Sequence, residues 1–478
     1  MPSLTRKYSL SAVAVLALIA MGGLSVDAGP RKRPTGPVLS HRVDGGKAAP
    51  SGVRVENIKV WDHAGEPTLG VNPGGDVFYA AINLRGEQNG AGPSLPNQVH
   101  LFSSEDSGAT WKDVSPMVGP ARAHTVSLDP YVFVDELPDG DNARIFNIDL
   151  TVACSYLSFS DDKGASWTTN PLACGRPVND HQTLFAGPPV TSSPIGYAHN
   201  VYYCWNDVGS SSCSKSIDGG ITFAPTGSPA FTGYENGLCG GLHGHGVVGK
   251  DGTVYIPKEH CGVPSLAISK DEGLTWDRAI VSKKLLSIAD ALLDPSVAVD
   301  DKGNLYYVYV AAKDHLPYLS YSRDGGKSWS KPVMIGVPGL KEVNIPTIDA
   351  GDPGKVAIAY MGSTNVKITK DEEGNTERNR ESASWNAYLA ASVNVFADNP
   401  VIISAQVNES SDPVKRRNCG PGRCGAVFDF IDVVISPDGT PWAAFVDACI
   451  DVCSGPTGIA DFGDEAFVGH LTRLTKLR

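Results

Sequence analysis

One short pattern occurs five times in the 478-residue sequence at nearly constant spacing, and it constrains the fold more than any other feature. The pattern is Ser-x-Asp-x-Gly-x-Ser/Thr followed by an aromatic residue. Its copies begin at Ser104, Ser160, Ser216, Ser269 and Ser322. Successive copies start 56, 56, 53 and 53 residues apart. A fixed period of this size predicts repeated supersecondary units.

Each copy has the composition of a hairpin turn that carries its own hydrophobic plug. In "SRDGGKSW", the copy from Ser322, the Asp324 carboxylate can accept hydrogen bonds from nearby backbone N–H groups and close the turn. The glycine can take a backbone conformation that is costly for other residues. The ring of Trp329 can then fold under the turn and bury a large apolar area.

A second repeat lies upstream of these turns and consists of a short apolar strand, a Gly- or Asp-rich turn and another apolar strand. Turns such as "KDGT" and "PDGT" suit β-hairpins. With two further strands, each unit would form a four-stranded propeller blade. Clear copies begin at Glu66, Asp129, Asp180, His243 and Asp294, and weaker copies begin at Asn344 and Phe428.

No segment shows sustained helical periodicity, so we predict an all-β fold. Seven units predict a β-propeller of seven blades, with six blades as the alternative. The segment at 53–62, "VRVENIKVWD", would complete the last blade and close the ring. The polar insert at 369–382 is predicted to protrude from the sixth unit as a solvated loop.

The repeated turns resemble the Asp-box (BNR) repeat proteins, the superfamily that contains the sialidases. The resemblance covers roughly residues 55–475. It implies a β-propeller whose boxes lie opposite the active site, and it implies action on glycans. The matching positions are Asp106, Asp162, Asp218, Asp271 and Asp324, with Trp111, Trp167, Phe223, Trp276 and Trp329.

The N-terminal residues have the layout of a secretory signal peptide, with Arg6 and Lys7 before an apolar run at 10–24. A membrane anchor is the alternative, but the run is short for a span. We predict a signal peptide at 1–28, a Pro- and Gly-rich leader at 29–52 and one propeller domain at 53–478. The mature chain would then be secreted, or periplasmic in a Gram-negative bacterium, without an integral membrane segment.

All ten cysteines lie after the apolar run, and an even number in an exported chain favours disulfides. We predict pairing between neighbours in sequence. The formal net charge of −12 argues against nucleic acid and anionic membrane surfaces as partners. The predicted pairs are Cys154/Cys174, Cys204/Cys213, Cys239/Cys261, Cys419/Cys424 and Cys449/Cys453.

In a propeller, the first strand of each blade lines the central channel, so the aligned strand starts should meet at one channel mouth. They would form a ring of carboxylates and imidazoles. The catalytic candidates are Glu66, Asp129, Asp180, Asp294 and His243, and the substrate-binding candidates are Arg144, Arg176, His181 and His245. Asn344 and Asp429 are weaker members of the ring.

Three interpretations of this ring remain open. The first is glycoside hydrolysis by paired carboxylates, which requires no cofactor. The second is a metal site at the channel mouth, with zinc or manganese at His243 and His245 or calcium in a ring of carboxylates. The third is structural, because acidic residues at strand starts can cap neighbouring backbone N–H groups. A polysaccharide lyase using His243 or His245 with a tyrosine is a further enzymatic alternative.

The sequence departs from the sialidases at a defining motif. Those enzymes use three arginines to bind the substrate carboxylate, and a Phe/Tyr-Arg-Ile-Pro motif carries the first. That motif is absent, and the nearest string is "ARIF" at 143–146. The departure favours the rival hypothesis of a non-catalytic propeller that binds carbohydrate or protein. The arginines that could serve are Arg85, Arg122, Arg144, Arg176 and Arg423.

Overall fold

The structure is a computed structural model in which a seven-bladed β-propeller is built from four-stranded antiparallel sheets. Pro37–Arg478 form one compact unit, and the other unit, Met1–Gly36, lies outside the described residues. No helix occurs in the part of the chain that the structure describes. The described residues are 40–42, 54–62, 64–83, 98–127, 129–137, 143–151, 154–172, 179–207, 210–233, 239, 241–283, 294–408, 412–416, 430–448, 465–472 and 474–478.

Each blade runs outward from the channel as a meander. Blade 1 comprises Ala64–Val71, Val77–Asn83, Gln98–Ser104 and Lys112–Asp113. Blade 2 comprises Pro130–Glu136, Ala143–Thr151, Cys154–Ser160 and Thr168–Leu172. Blade 3 comprises Asp180–Gly187, Asn200–Asn206, Ser211–Ser216 and Ala224–Pro225. Blade 4 comprises Val247–Val248, Val254–His260, Val263–Ser269 and Asp277–Ile280. Blade 5 comprises Ser296–Val299, Leu305–Val310, Pro317–Ser322 and Val333–Met334. Blade 6 comprises Glu342–Ala350, Val356–Ser363, Ser384–Ser392 and Ile403–Gln406. Blade 7 comprises Asp432–Ile435, Pro441–Asp447, Glu465–Thr472 and Arg54–Trp61.

The ring closes by pairing the beginning of the propeller with its end. Arg54–Trp61 is the outermost strand of blade 7 and pairs antiparallel with Glu465–Thr472, so that Arg54 lies opposite Thr472. This confirms the predicted closing strand at 53–62. Closure across the two ends of the chain leaves no unpaired gap between the first and last blades.

Blade 6 carries the additions to the basic plan. Ser40–Arg42 pairs with Ile403–Gln406, and Lys415–Arg416 pairs with Ser384–Ser392. The predicted insert forms an exposed two-stranded hairpin, Lys367–Lys370 with Thr376–Asn379. A further hairpin, Met117–Val118 with Ala123–His124, follows blade 1.

The Asp boxes close the turns after the third strands, as their composition predicts. In the box of blade 1, Thr110 donates from its backbone N–H to Asp106 Oδ1 at 2.8 Å, and Gly108 N–H donates to Ser104 Oγ at 2.8 Å. Gly108 has a φ of 85°, which explains the glycine at this position. Trp167, the aromatic residue of the next box, donates from Nε1 to the Val114 carbonyl at 2.7 Å and so connects neighbouring blades.

Two of the five predicted disulfides fall within the described residues, and both are present. Cys204 bonds to Cys213 across adjacent strands of blade 3, and Cys239 bonds to Cys261. Cys174, Cys419, Cys424, Cys449 and Cys453 lie outside the described residues. Among the described residues, no helix is long and apolar enough to cross a membrane.

Candidate functional site at the channel end opposite the Asp boxes

The inner strands of blades 1, 3 and 6 share a β-bulge near their first residues. The bulged residues are Glu66, His181 and Ile345, with φ angles of 52°, 49° and 49°. Non-glycine residues with positive φ are costly and tend to occur where the surrounding structure imposes them. The strands are antiparallel and the boxes follow the third strand. The bulges therefore lie at the channel end opposite the boxes.

The bulge changes which residue of blade 3 enters the ring. The sequence alignment places Asp180 there, but Asp180 is exposed, whereas His181 is 2% exposed and occupies the position that Glu66 occupies in blade 1. A shift of one residue reverses the side of a strand on which a side chain lies. By the same alignment, blade 6 contributes Ile345 in place of Asn344, and blade 7 contributes Phe430. Asp429 lies outside the described residues.

Several polar side chains of the inner strands hold neighbouring blades together. Asp129 of blade 2 accepts a hydrogen bond at Oδ2 from the His181 N–H of blade 3 at 3.1 Å. Asp432 of blade 7 accepts from the Leu69 N–H of blade 1 at 3.0 Å. Burial raises the pKa of Asp432 to about 7. These carboxylates perform the capping function that the structural interpretation predicts.

Hydroxyl groups make the same inter-blade contact elsewhere. Thr68 Oγ1 of blade 1 accepts from the Val132 N–H of blade 2 at 2.9 Å, and Ser296 Oγ of blade 5 accepts from the Ile348 N–H of blade 6 at 3.3 Å. Backbone N–H groups of one blade are thus satisfied by side chains of the preceding blade in the ring.

A contact between an imidazole and a carboxylate joins blades 3 and 5. His181 Nε2 lies 2.6 Å from Asp294 Oδ2, and the two side chains are 3% and 13% exposed. Blade 4 lies between these blades in the ring, so the pair forms at the channel itself. Asp129 thus holds the backbone of His181, while Asp294 contacts its imidazole.

Two further imidazoles of blade 4 adjoin this pair. The His243 ring lies 6.3 Å from the His181 ring, and His245 packs 4.4 Å from Tyr131 and 5.7 Å from Phe430. Burial, followed by the neighbouring His181, lowers the pKa of His243 well below its usual value and that of His245 to about 3. Both rings are therefore neutral at pH 7, and the buried Nε2 atom of each has no hydrogen-bond partner among the described residues.

Phe430 forms an apolar surface between these groups. Its ring lies 4.5 Å from that of His181, so a residue of blade 7 contacts a residue of blade 3 across the channel. The side chain is 5% exposed. Phe430 therefore places an aromatic ring against both His181 and His245.

Two charged residues at this end of the channel were not predicted from the sequence. Lys258 and Glu259 lie just before His260, the last residue of the strand Val254–His260 in blade 4. Lys258 also forms a β-bridge with His243. The available signal was the charged string "KEH" at the end of an otherwise apolar strand. Such a string at a strand end opposite the boxes lies at the channel mouth.

Lys258 is fully buried but makes no ion pair within 4.0 Å to any described residue. Its Nζ atom lies 3.2 Å from Ser211 Oγ and 3.5 Å from Asn206 Oδ1. Burial lowers its pKa to about 8, although Asp294, Asp207 and Glu259 oppose this effect. The ammonium group is therefore less strongly held in its charged form than a surface lysine.

Glu259 is a carboxyl group kept partly protonated near neutral pH. It is 8% exposed, and burial followed by the field of Asp294 raises its pKa to about 7, while Lys258 lowers it. Side chains alternate along a strand, so Glu259 faces away from the blade 3 contacts of Lys258. The cluster of His181, His243, His245, Lys258, Glu259 and Asp294 is called the channel cluster below.

Arg144, one of the two predicted substrate-binding arginines, does not join the channel cluster. Arg144 lies at the Asp-box end of blade 2, where Nε and Nη2 donate to Asp161 at 2.7 and 2.6 Å. Its guanidinium also stacks 4.2 Å from Phe159 and donates to the Gly219 carbonyl. Arg122 is exposed, while Arg85, Arg176 and Arg423 lie outside the described residues. No arginine of the described chain contributes to the channel cluster.

Metal-binding geometry occurs elsewhere among the described residues. Two groups of three His, Cys or Asp residues bring one ligand atom each within 4.8 Å of one another. The first contains Cys239 and Cys261, which form a disulfide, together with His260. The second is His100, Asp113 and His124, near the outer strands of blade 1. Neither group lies in the channel cluster.

Comparison with known proteins agrees with the repeat. The BNR/Asp-box repeat family model matches residues 320–331. No curated protein matches the sequence. A solved protein of unknown function from Dyadobacter fermentans is 14% identical, with a TM-score of 0.44, over 90% of this chain and 100% of that chain.

Two further solved structures, a sialidase and a lectin, are also similar. The K499G mutant of NanB sialidase from Streptococcus pneumoniae is 11% identical, with a TM-score of 0.41, over 87% of this chain and 70% of that chain. A mutant of the Aleuria aurantia lectin, solved with Fucalpha1-6GlcNAc, is 10% identical, with a TM-score of 0.40, over 74% of this chain and 96% of that chain.

Proposed function

We propose that this Asp-box propeller is an exported glycan-acting enzyme, a glycoside hydrolase whose acid–base centre is the channel cluster. The observation that carries the proposal is the His181–Asp294 pair, 2.6 Å apart, together with the buried carboxyl of Glu259, whose pKa is raised to about 7 by burial and by the field of Asp294. Two carboxyl groups held in different environments are the arrangement that glycosidic bond cleavage uses.

Glu259 is assigned the role of general acid. A pKa of about 7 leaves a large fraction of this carboxyl protonated at neutral pH, so it can donate a proton to the departing glycosidic oxygen. Asp294 is assigned the role of the carboxylate that stabilises positive charge at the sugar or activates water. His181 positions Asp294 through the 2.6 Å contact.

The remaining members of the cluster are assigned to substrate binding. His245 is partly exposed, and the rings of Tyr131 and Phe430 pack against it, which suits contact with the apolar face of a sugar. Lys258 adds a cationic donor beside Asn206. The described part of this site contains no counterpart of the arginine triad of sialidases. We therefore do not single out sialosides but treat them as one of several candidate substrate classes.

Export is part of this proposal. The Cys204–Cys213 and Cys239–Cys261 disulfides suit an oxidising compartment, and the N-terminal sequence has the layout of a signal peptide. Extracellular or periplasmic glycans would then be the accessible substrates.

Hydrolysis assays across aryl glycosides of neutral sugars, sialosides and uronic-acid polymers test the proposal. We expect turnover of one class by the wild type. Loss of a positioned acid or base should lower kcat by roughly 100-fold or more in Glu259→Gln and Asp294→Asn. Glu373→Gln, an exposed Glu in the blade 6 hairpin, is the matched control and should retain full activity. Absence of turnover on every class would contradict the assignment.

A non-catalytic carbohydrate-binding propeller is the second candidate, and the inter-blade bonds favour it. Asp129 and Asp432 already accept backbone N–H groups of neighbouring blades, so much of the acidic ring has a structural use. Saturable binding on a glycan array without hydrolysis, weakened in Asp294→Asn, would support this candidate over the enzyme.

A further inference from the structure

A cluster of two imidazoles and a carboxylate lies outside the channel, beside the seam between blades 1 and 7. His100 is on the third strand of blade 1, Asp113 on the fourth strand, and His124 on the hairpin that follows. One ligand atom from each lies within 4.8 Å of the other two. The three residues come from separate strands, so this proximity depends on the tertiary fold.

Hydrogen bonds orient both imidazoles. His100 Nδ1 lies 2.9 Å from Asp113 Oδ2, and His124 Nδ1 lies 2.9 Å from the Val99 carbonyl oxygen. A carbonyl oxygen and a carboxylate only accept, so each neutral ring carries its proton on Nδ1 and a lone pair on Nε2. A histidine that donates from one ring nitrogen to a carboxylate or carbonyl is the arrangement seen in metal sites.

The cluster also contains a buried lone pair that the fold leaves unsatisfied. His100 is 1% exposed, and its Nε2 atom has no hydrogen-bond partner among the described residues. The two rings lie 4.2 Å apart with an interplanar angle of 32°. Burial of an unpaired polar atom is costly, and coordination of a cation would remove that cost.

Asp113 is the most exposed of the three groups, His124 is half-buried and His100 is buried. Asp113 is 36% exposed at its side chain, so the cluster is reachable from solvent.

We propose that His100, Asp113 and His124 form a binding site for a transition-metal cation, with Zn²⁺ as the best match. Zinc takes imidazole nitrogens and carboxylate oxygens at about 2.0–2.2 Å, and water completes a site with three protein ligands. The ligands of a tetrahedral zinc lie roughly 3.3 Å apart, so small side-chain rotations close the present spacing. Bound metal would fasten the hairpin Met117–Val118 with Ala123–His124 to blade 1.

Zn²⁺ binding to tag-free, metal-stripped protein, measured by calorimetry, tests the site. The wild type should bind one more equivalent than Asp113→Asn/His124→Gln, or bind at least about tenfold more tightly, since loss even of outer ligand partners has that effect. His199→Gln is the matched control, because His199 also contacts a carboxylate, Asp135, at 2.9 Å but has no second imidazole in its cluster. Equal binding by the wild type and the double variant would overturn the proposal.

Fluorescence gives a second readout that does not depend on the folding of the ligand variants. The Trp61 ring lies 4.5 Å from that of His100, so Cu²⁺ bound at the site should quench its emission. The quenched component should be missing in Trp61→Phe. Saturating Cu²⁺ that leaves the same emission change in Trp61→Phe as in the wild type would place the metal elsewhere and refute the assignment.

Discussion

The Nε2 atom of His181 lies 2.6 Å from Oδ2 of Asp294, although the two residues belong to blades that are separated by a whole blade. Breaking a buried pair by removing one partner leaves an uncompensated charge. We expect His181→Ala to lower the free energy of unfolding by about 3 kcal/mol in urea titrations. The exposed pair Lys250–Asp301, 3.5 Å apart, is the control, and Lys250→Ala should cost less than about 1 kcal/mol. Similar losses in both variants would contradict the distinction.

Glu259 predicts a specific pH dependence of stability. Its folded pKa of about 7 lies above the ordinary value of 4.5, so between these values the folded state binds more protons than the unfolded state. Stability from this group is therefore present below pH 4.5 and is lost as the pH rises towards 7. Glu259→Gln should gain up to about 3 kcal/mol relative to the wild type between pH 4.5 and pH 8.

This comparison requires unfolding titrations at several pH values for both proteins. Glu373→Gln, the exposed hairpin variant, should follow the wild-type curve throughout. Parallel curves for Glu259→Gln and the wild type would show that Glu259 titrates normally.

Thr68 allows a test of the bonds that join the blades. Its Oγ1 atom is buried and accepts the Val132 N–H at 2.9 Å. Thr68→Val preserves the shape but leaves that N–H without its acceptor, so we expect a loss of about 1–3 kcal/mol in the free energy of unfolding. Thr68→Ser keeps the hydroxyl and should lose clearly less. A smaller loss in Thr68→Val than in Thr68→Ser would indicate that packing, rather than the hydrogen bond, holds the blades.

Arg144 separates structural from substrate-binding arginines. Its two bonds to Asp161 and its stacking on Phe159 require the planar guanidinium, so Arg144→Lys should lower the unfolding midpoint. Because the residue lies at the Asp-box end, KM for any substrate found should not change. A raised KM at unchanged stability would instead assign Arg144 to substrate binding. Thermal unfolding and steady-state kinetics on the same preparation distinguish these outcomes.

The sequence by itself determined the features that depend on contacts within one repeat. Box turns such as Asp106 with Thr110, the meander of each blade and the Cys204–Cys213 disulfide all join residues that are close along the chain. Hydrogen bonds of this range are specified by local residue types, which is why the motif spacing predicted them. The closing strand Arg54–Trp61 was also predictable, since the last repeat lacked an outer strand.

The tertiary structure alone decided which side chains meet. The bulge at His181 moves that residue into the ring and Asp180 out of it, and sequence periodicity carries no signal for a one-residue bulge. The His181–Asp294 pair and the His100–Asp113–His124 cluster depend on distances between blades and between strands. Those distances are set by how seven twisted sheets pack around one channel, a property of the whole ring that no single repeat encodes.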